Sequence, residues 1–469
     1  VDASWMQEKE SQIADLSESM KKSYWNETNL RTYQKLLKLQ KETGDSLQSL
    51  SLAYFFHQPF QTVPVTGVSS PIQLKDVLAA CDIDLEPELF DSWRWSMKLI
   101  HLSDLHLGKR VNEFSMVEDQ KYILNEILKI IDQESPDGIL LAGDLYDRPV
   151  PSAEAVQLFD SFLTRLAQRK IPVFAISGNH DSAERIAFGS HIMSDSGICM
   201  SPVYDGKTAK YCLKDSYGEV WIHLLPFIRP ATVRHALEGE EDVEDIRTYQ
   251  EAVLAAVKHM EIDRSQRNVL LAHQFVVGAM QCDSEEISVG GIDQIEAEVF
   301  RDFDYVALGH IHSPQNVGSP KIRYCGTPLK YSFSEAGQQK SVTVVELGEK
   351  GSPDVREIPL TPLRDMRKLK GTYMELTSQS NYKDTNTDDY VQITLTDEED
   401  IVDGMQKLRT IYPNLMRLDY DNRRTRENQE IAGTERTTQK SEMEYFEEFF
   451  ELQNNQPMNE EQRKFSEEL

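Results

Sequence analysis

The stretch Lys98-Leu-Ile-His-Leu-Ser-Asp-Leu-His-Leu-Gly108 opens as a short, mostly apolar run and then breaks into Asp104-Leu-His106. Runs of this length, bounded by turn residues, read as buried strands. The same arrangement recurs four times. Ile139–Gly143 precedes Asp144, Val173–Gly178 precedes Asn179-His180-Asp181, Val269–Ala272 precedes His273, and Tyr305–Gly309 precedes His310-Ile-His312. Open sheets gather ligand-binding residues at the carboxyl ends of their strands. Five strands that each end on a carboxylate, carboxamide or imidazole therefore imply one site, drawn from about 210 positions of chain.

The ligand types define its chemistry. Carboxylate and amide oxygens mixed with imidazoles suit manganese, iron or zinc, and argue against a thiolate site. Seven such residues (Asp104, His106, Asp144, Asn179, His273, His310 and His312) are too many for one tetrahedral ion. They suit two divalent ions roughly 3.5–4 Å apart sharing a carboxylate, the arrangement that clamps both oxygens of an in-line displacement at phosphorus.

With these motifs the chain resembles the calcineurin-like metallophosphoesterases. From Met97 to Leu469 it resembles their SbcD nuclease-subunit branch. Asp144-Leu-Tyr-Asp-Arg148, Gly309-His-Ile-His-Ser-Pro314, Tyr324-Cys-Gly-Thr-Pro328 and Phe446-Glu-Glu-Phe-Phe-Glu-Leu-Gln-Asn454 carry that likeness alongside the opening stretch. The resemblance implies one ion on Asp104, His106, Asp144 and His312, and a second on Asp144, Asn179, His273 and His310. Asp144 would bridge them, and manganese is the expected metal. It implies His180 as the catalytic residue beside the leaving 3′ oxygen, with Asp147 orienting it. Arg148 would either touch the scissile phosphate or form a surface salt bridge.

The implied activity is a two-metal DNA exonuclease and endonuclease. It would cut double-strand ends in the 3′–5′ direction, and single strands and hairpins, in DNA repair, recombination and replication. The implied partners are DNA, an SbcC-like ATPase bound through the C-terminal tail, and a second copy of the chain, giving a homodimer within a heterotetramer. The alternative is a phosphomonoesterase or protein phosphatase of the same superfamily. Serine/threonine phosphatases carry Gly after the Asp-Arg pair and Glu after Gly-Asn-His, where this chain has Pro149 and Asp181. A third class, a non-enzymatic scaffold, fits poorly with seven intact ligand types.

Composition sets outer bounds. A chain of 469 residues accommodates two to four domains. No apolar run approaches a membrane span, and no signal peptide is visible. Cys81, Cys199, Cys212, Cys282 and Cys325 are scattered without a Cys-x-x-Cys, so neither disulfide framework nor zinc ribbon is expected, and a reducing cytoplasm fits. A formal net charge of −28 opposes DNA binding by bulk electrostatics. Bound metals or a basic partner must supply the attraction. Lys109-Arg110 and Arg423-Arg424-Thr-Arg426 are the local basic candidates, either touching DNA or simply solvated.

Residues 1–96 need a separate reading. A periodic helix through Tyr33, Leu36 and Leu37 should end near Gly44, and a second should run from about Ser46 to Gln58. Thr62–Thr66 reads as a strand. Ser70, Pro71 and Gln73 then form a capping box on a third helix. Ala53–Phe60 and Val63–Leu74 resemble the C-terminal end of an aldo/keto reductase, whose loop and helix start bind the phosphate of NADP. Val77 stands where an asparagine is usual, and only the last quarter of a (β/α)₈ barrel is represented. The segment reads as a partial barrel fragment left by fusion or read-through.

The fold class is thus α/β. A metallophosphoesterase β-sandwich flanked by helices is expected over 97–330. A small α+β capping domain should span 335–418, with strands Ser341–Glu346 and Tyr390–Leu395 and a helix Asp397–Tyr412. A linker and helical ATPase-docking tail should occupy 421–469. Its face of Met443, Phe446, Phe449, Phe450 and Leu452 either docks into a partner groove or packs back on its own domain.

Overall fold

Strands with no polar face must be covered on both sides, and the chain achieves this by stacking two sheets. The computed structural model describes residues 27–56, 63–84, 96–239, 243–285, 293–351 and 353–423, with 446–447, 450, 458, 462–463 and 466. They divide into two compact units, Val1–Arg110 with Ser115–Leu363, and Val111–Phe114 with Arg364–Leu469.

In the first unit one sheet runs in the order Pro353–Pro359, Ser341–Leu347, Met97–Leu102, Gly138–Ala142, Val173–Ile176, Ile198–Met200. Its last four strands are parallel, with Leu99 opposite Gly138 and Ile139 opposite Val173. The second sheet has the order Gln315–Val317, Ser319–Tyr324, Tyr305–Gly309, Arg267–His273, Gly218–Leu224, Ala209–Asp215. Here Gly309 lies opposite His273. Leu99, Leu140, Phe174 and Ile176 of the first sheet meet Ile222, Leu224, Leu271 and Tyr305 of the second in a common core. At about 1.5–3 kcal/mol for each buried aliphatic or aromatic side chain, this layer dominates the unit's stability.

Helices cover the outer faces because their apolar residues recur at helical spacing. Val117–Glu134 buries Ile123, Leu124, Ile127, Leu128 and Ile131. Ala153–Gln168 buries Phe159, Phe162 and Leu166, and the Ser152 hydroxyl caps it by accepting from Ala155 N at 3.3 Å. Val253, Ala256 and Val257 of Tyr249–Lys258 pack on Leu270, Ala272, Val306 and Leu308 behind the second sheet.

A buried ion pair pins one end of the sandwich. Arg267 Nη1 donates to Asp215 Oδ2 at 2.8 Å and to the carbonyls of Leu347 and Gly348, and Nη2 donates to Asp215 Oδ1 and the Gly218 carbonyl. Replacing Asp215 with Ala leaves a guanidinium uncompensated in the interior. We expect a loss of about 3–5 kcal/mol in urea unfolding, against a smaller loss for the double variant Asp215→Leu with Arg267→Met. An equal loss in both would show that packing, not charge, holds this corner.

Two expectations are corrected here. Ser341–Leu347 pairs with Met97–Leu102 in the first sheet, and Pro353–Pro359 extends that edge. Both belong to the large unit, so the boundary falls at Leu363/Arg364 and not at residues 330–335. A β-branched run predicts a strand but carries no record of its neighbour, which here lies some 250 residues earlier. The helix expected over Asp397–Tyr412 is only Gly404–Arg409. Asp397 accepts from Tyr373 N at 2.7 Å, and Asp403 adopts a left-handed φ of 54°.

The second unit carries a parallel sheet in the order Met366–Gly371, Tyr390–Leu395, Leu415–Tyr420. Val391, Ile393, Leu395, Leu408 and Leu415 form its core. In the tail, Phe446 is exposed, while Met443, Phe449 and Leu452 lie outside the residues whose side chains are described.

Helices Glu27–Thr43, Leu47–Phe56 and Pro71–Ala79 are present near the N-terminus, with Leu36, Leu39, Leu50 and Ala53 packed together. Gly44 ends the first as expected, with φ +81° and its N–H on the Gln40 carbonyl. Ser70 caps the third, accepting from Gln73 N at 3.2 Å. Gln73 Oε1 reaches back to Ser69 N, one residue before the expected partner. Val63–Thr66, from the expected strand Thr62–Thr66, joins no ladder among the described residues. Among the described residues no barrel closes, and no helix is long and apolar enough to cross a membrane.

Candidate metal centre

The carboxyl ends of five strands deliver the motif residues to one place. Met97–Leu102 is followed by Asp104 and His106, Gly138–Ala142 by Asp144, and Val173–Ile176 by Asn179 and His180. His273 is the last residue of its strand, and His310 follows Gly309 directly. The turns are tight. Asp104, His106, Asp144 and His310 adopt φ of 52°, 43°, 48° and 102°, a region non-glycine residues rarely enter. Such strain costs of order 1–3 kcal/mol per residue and persists where surrounding contacts over-determine it.

Those contacts are plain. Asp104 N donates to the Gly143 carbonyl and His106 N to the Asp144 carbonyl. Gln120 Nε2 donates to the His106 carbonyl at 2.7 Å, and its Oε1 accepts from Gly108 N at 2.9 Å. Asp181 accepts from Gly178, Leu145 and Tyr146 N–H groups at 2.9–3.0 Å, tying two of the loops together. Glycine makes room for the ligands. A Cβ on Gly143 would stand 2.4 Å from His273 Nδ1, and one on Gly178 would stand 2.1 Å from Asp144 Oδ1.

Asp144 Oδ2 lies at the middle, 3.7 Å from His106 Nε2, 3.3 Å from His273 Nε2 and 4.0 Å from His180 Nε2. His106 Nε2 and His312 Nε2 approach to 3.1 Å. Asn179 Oδ1 is 3.0 Å from both His273 Nε2 and His310 Nδ1. Asp104 accepts from His310 N and from the Ser103 hydroxyl, with one oxygen 4.0 Å from His273 Nε2. All seven expected ligands thus converge and are buried or nearly so. Their donor atoms form overlapping triplets, including Asp104–His106–His312 and Asp104–Asp144–His273.

The ring polarities fit a cation. His273 Nδ1 can only donate to the Ala142 carbonyl, at 2.8 Å, which aims Nε2 at Asp144 and Asn179. Two imidazole Nε2 atoms at 3.1 Å are mutual competitors unless a cation or a proton lies between them.

Burial pushes the Asp104 carboxyl up to about 7, Asp144 adding to the effect and His273 opposing it. Against its own burial, His273 is raised to about 9 by Asp144 and Asp104. Asp144, despite burial, is held well below the usual carboxylate range by His273, His106 and His180. A divalent ion needs Asp104 ionised and His273 neutral, so its uptake must release protons at pH 7. We expect metal affinity to weaken by at least about tenfold per unit on acidification from pH 8.5 to 6.5. Calorimetry in buffers of different ionisation enthalpy would show the release, and pH-independent affinity would contradict it.

Two residues stand differently from expectation. Asp147 does not orient His180 through its carboxylate. Lys109 Nζ captures Asp147 Oδ1 at 2.7 Å, leaving that oxygen 3.8 Å from His106 Nδ1. His180 Nδ1 meets the Asp147 backbone carbonyl instead, at 3.1 Å. For the same reason Lys109 is drawn inward and is no free DNA-facing cation. Arg148 is exposed and 3.7 Å from Asp147 Oδ2, a weak surface pair. Sequence reasoning gave no role to Gln120, Asp181, Ser284, Glu335 or Lys340. Of these only Asp181 left a signal, as the last residue of Gly178-Asn-His-Asp181.

Comparison with known proteins adds to this geometry. The pattern of the calcineurin-like phosphoesterases matches residues 97–314, and that described as the type 5 capsule protein repressor C-terminal domain matches 362–454. The aldo/keto reductase family pattern matches residues 2–96. The chain is 35% identical over 328 residues to the SbcD subunit of the SbcCD nuclease of Staphylococcus epidermidis, covering 69% of this chain and 85% of that protein. Among solved structures it is similar to a dimetal phosphatase from Danio rerio (11% identity, TM-score 0.33, 56% of this chain and 99% of the other). It is also similar to a Thermus thermophilus protein, TT1561 (14% identity, TM-score 0.31, 56% and 99%).

Proposed function

The chain belongs to the SbcD family of nuclease subunits, built on the calcineurin-like phosphoesterase domain, and from that premise we propose that it hydrolyses DNA phosphodiesters with two divalent ions. The observation that carries this reading is the convergence of seven donors, Asp144 among them, at one place. Asp104, His106, Asp144 and His312 would hold one ion, and Asp144, Asn179, His273 and His310 the other, with manganese the expected metal. Bound there, the pair would supply an activated water and a charge clamp on the phosphoryl oxygens.

The chain's own groups then do the positioning. His180 is the site imidazole most open to solvent, with 12% of its side chain exposed. Its Nδ1–H is held by the Asp147 carbonyl, leaving Nε2 on the side of Asp144, 4.0 Å from its Oδ2. From there a protonated Nε2 donates to the departing 3′ oxygen. The Asp147 carboxylate is held by Lys109 and stands 3.8 Å from His106 Nδ1, outside hydrogen-bond range. Arg148, free among the described residues of any strong pairing beyond its weak surface contact with Asp147, would be the guanidinium to touch a phosphate oxygen.

Around this site we place a 3′–5′ double-strand exonuclease and single-strand endonuclease, at work in the cytoplasm in DNA repair, recombination and replication. The acidic balance of the chain calls for a partner to supply the DNA groove, and an SbcC-like ATPase bound through residues 421–469 fits that need. A homodimer is favoured by the apolar surface beside the site, where Phe188 and Ile192 are 84% and 79% exposed. Among the described residues, the donor groups draw on none of residues 1–96. Comparing bis(p-nitrophenyl) phosphate with p-nitrophenyl phosphate tests the reading: preference for the diester supports it, and preference for the monoester favours the phosphatase alternative.

A further inference from the structure

At the Nδ1 edge and backbone carbonyl of His312 lies a buried charged group that the seven-donor set does not use. Glu335 and Lys340 are both buried, with Lys340 Nζ 2.6 Å from Glu335 Oε2. The ammonium also donates to the His312 carbonyl at 2.9 Å and to Gln338 Oε1 at 2.8 Å. Its three protons therefore have three acceptors. Every contact to the Glu335 carboxylate comes from a group able to donate. Ser284 Oγ at 2.7 Å, Ser332 Oγ at 3.0 Å and Tyr331 N at 3.2 Å reach Oε1, and Thr327 Oγ1 at 3.4 Å reaches Oε2. This is the environment of an ionised, acceptor-only carboxylate.

The direction of each bond then follows. A serine hydroxyl has one proton, and Ser284 gives it to Glu335. Toward His312 Nδ1, 2.7 Å away, the same oxygen can only accept. His312 must therefore carry its proton on Nδ1 and leave its lone pair on Nε2, the atom 3.1 Å from His106 Nε2. A serine alone could rotate its hydroxyl and bond His312 in either tautomer. The carboxylate removes that freedom, and Lys340 keeps the carboxylate ionised in a dry interior.

We propose that Ser284, Glu335 and Lys340 form a tautomer lock that keeps His312 Nε2 unprotonated for a metal ion. They are positioning residues and touch no reacting atom. The backbone of His312 is held separately, its N–H on Glu285 Oε1 at 2.7 Å and its carbonyl on Lys340 Nζ and Thr327 N. Loss of the Ser284 hydroxyl therefore frees the ring without releasing the chain. The inference rests on the two-ion reading for its purpose but not for its geometry.

The test uses the full chain labelled with ¹⁵N-histidine, and Ser284→Ala and Ser284→Thr beside it. In the metal-free protein the imidazole nitrogen shifts should show His312 protonated on Nδ1 in the wild type and in Ser284→Thr, and a mixed or reversed tautomer in Ser284→Ala. Titration with manganese should then show one of two ions weakened about 10–100-fold in Ser284→Ala and restored in Ser284→Thr. A wild-type His312 protonated on Nε2, or a Ser284→Ala variant matching wild type in both measurements, overturns the lock. An Nδ1–H tautomer in a wild type that binds no pair of ions would sustain the lock and sink the two-metal reading.

Discussion

Replacing Asp144 with Asn should reduce the metal content from two ions per chain to at most one and lower phosphodiester hydrolysis by about 10³-fold. Asp144 shares a group of donor atoms with Asp104 and His273, and its Oδ2 lies 3.7 Å from His106 Nε2. The carboxamide keeps its volume, so the fold should survive. What disappears is the charge that holds His273 at a pKa of about 9 and that a shared position between two cations requires. Chelator-stripped protein titrated with manganese gives the stoichiometry. Two ions bound with wild-type affinity in Asp144→Asn would remove it from the bridging position.

His180→Ala should act on a different step. General acid catalysis typically contributes 10²–10⁴-fold, and metal binding should be unchanged because His180 is not among the seven donors. The loss must depend on the leaving group. Departure of a 3′ alkoxide from DNA needs a proton, whereas p-nitrophenolate is stable without one. We therefore expect the variant to lose about 10²–10⁴-fold on DNA and far less on bis(p-nitrophenyl) phosphate. An equal loss on both substrates would assign His180 to binding the phosphoryl group and not to protonating the leaving oxygen.

The site was legible in the sequence to the extent that its chemistry is local. Each of five ligands lies at the end of a buried strand or within three residues of it, and strand ends are where open sheets present their ligands, so Asp104, Asp144, Asn179, His273 and His310 could be gathered from order alone. What depends on side chains meeting across the fold was not legible. Asp147 lies three residues after Asp144, but its carboxylate belongs to Lys109, 38 positions earlier. Ser284 and Lys340 sit in loops and Glu335 ends the short 3₁₀ helix Phe333–Glu335, none within a motif, and their relation exists only once the chain has brought these segments together beside His312. Ser341–Leu347 read correctly as a strand and wrongly as part of the small domain, since pairing with Met97–Leu102 is a long-range event. At Asp397–Tyr412 the apolar period was real, with Ile401, Met405, Leu408 and Ile411 all packed against the small core, yet only Gly404–Arg409 is helical. Side-chain burial satisfied the pattern without a full helix.

The most direct measurement is cleavage of an end-labelled duplex closed by a hairpin, using the full chain stripped of metal and resupplied with manganese, with and without the ATPase partner. Wild type should cut only with metal, and Asp144→Asn and His180→Ala should each fail under the same conditions. Metal-independent cutting, or wild-type cutting by Asp144→Asn, would contradict a nuclease built on this centre.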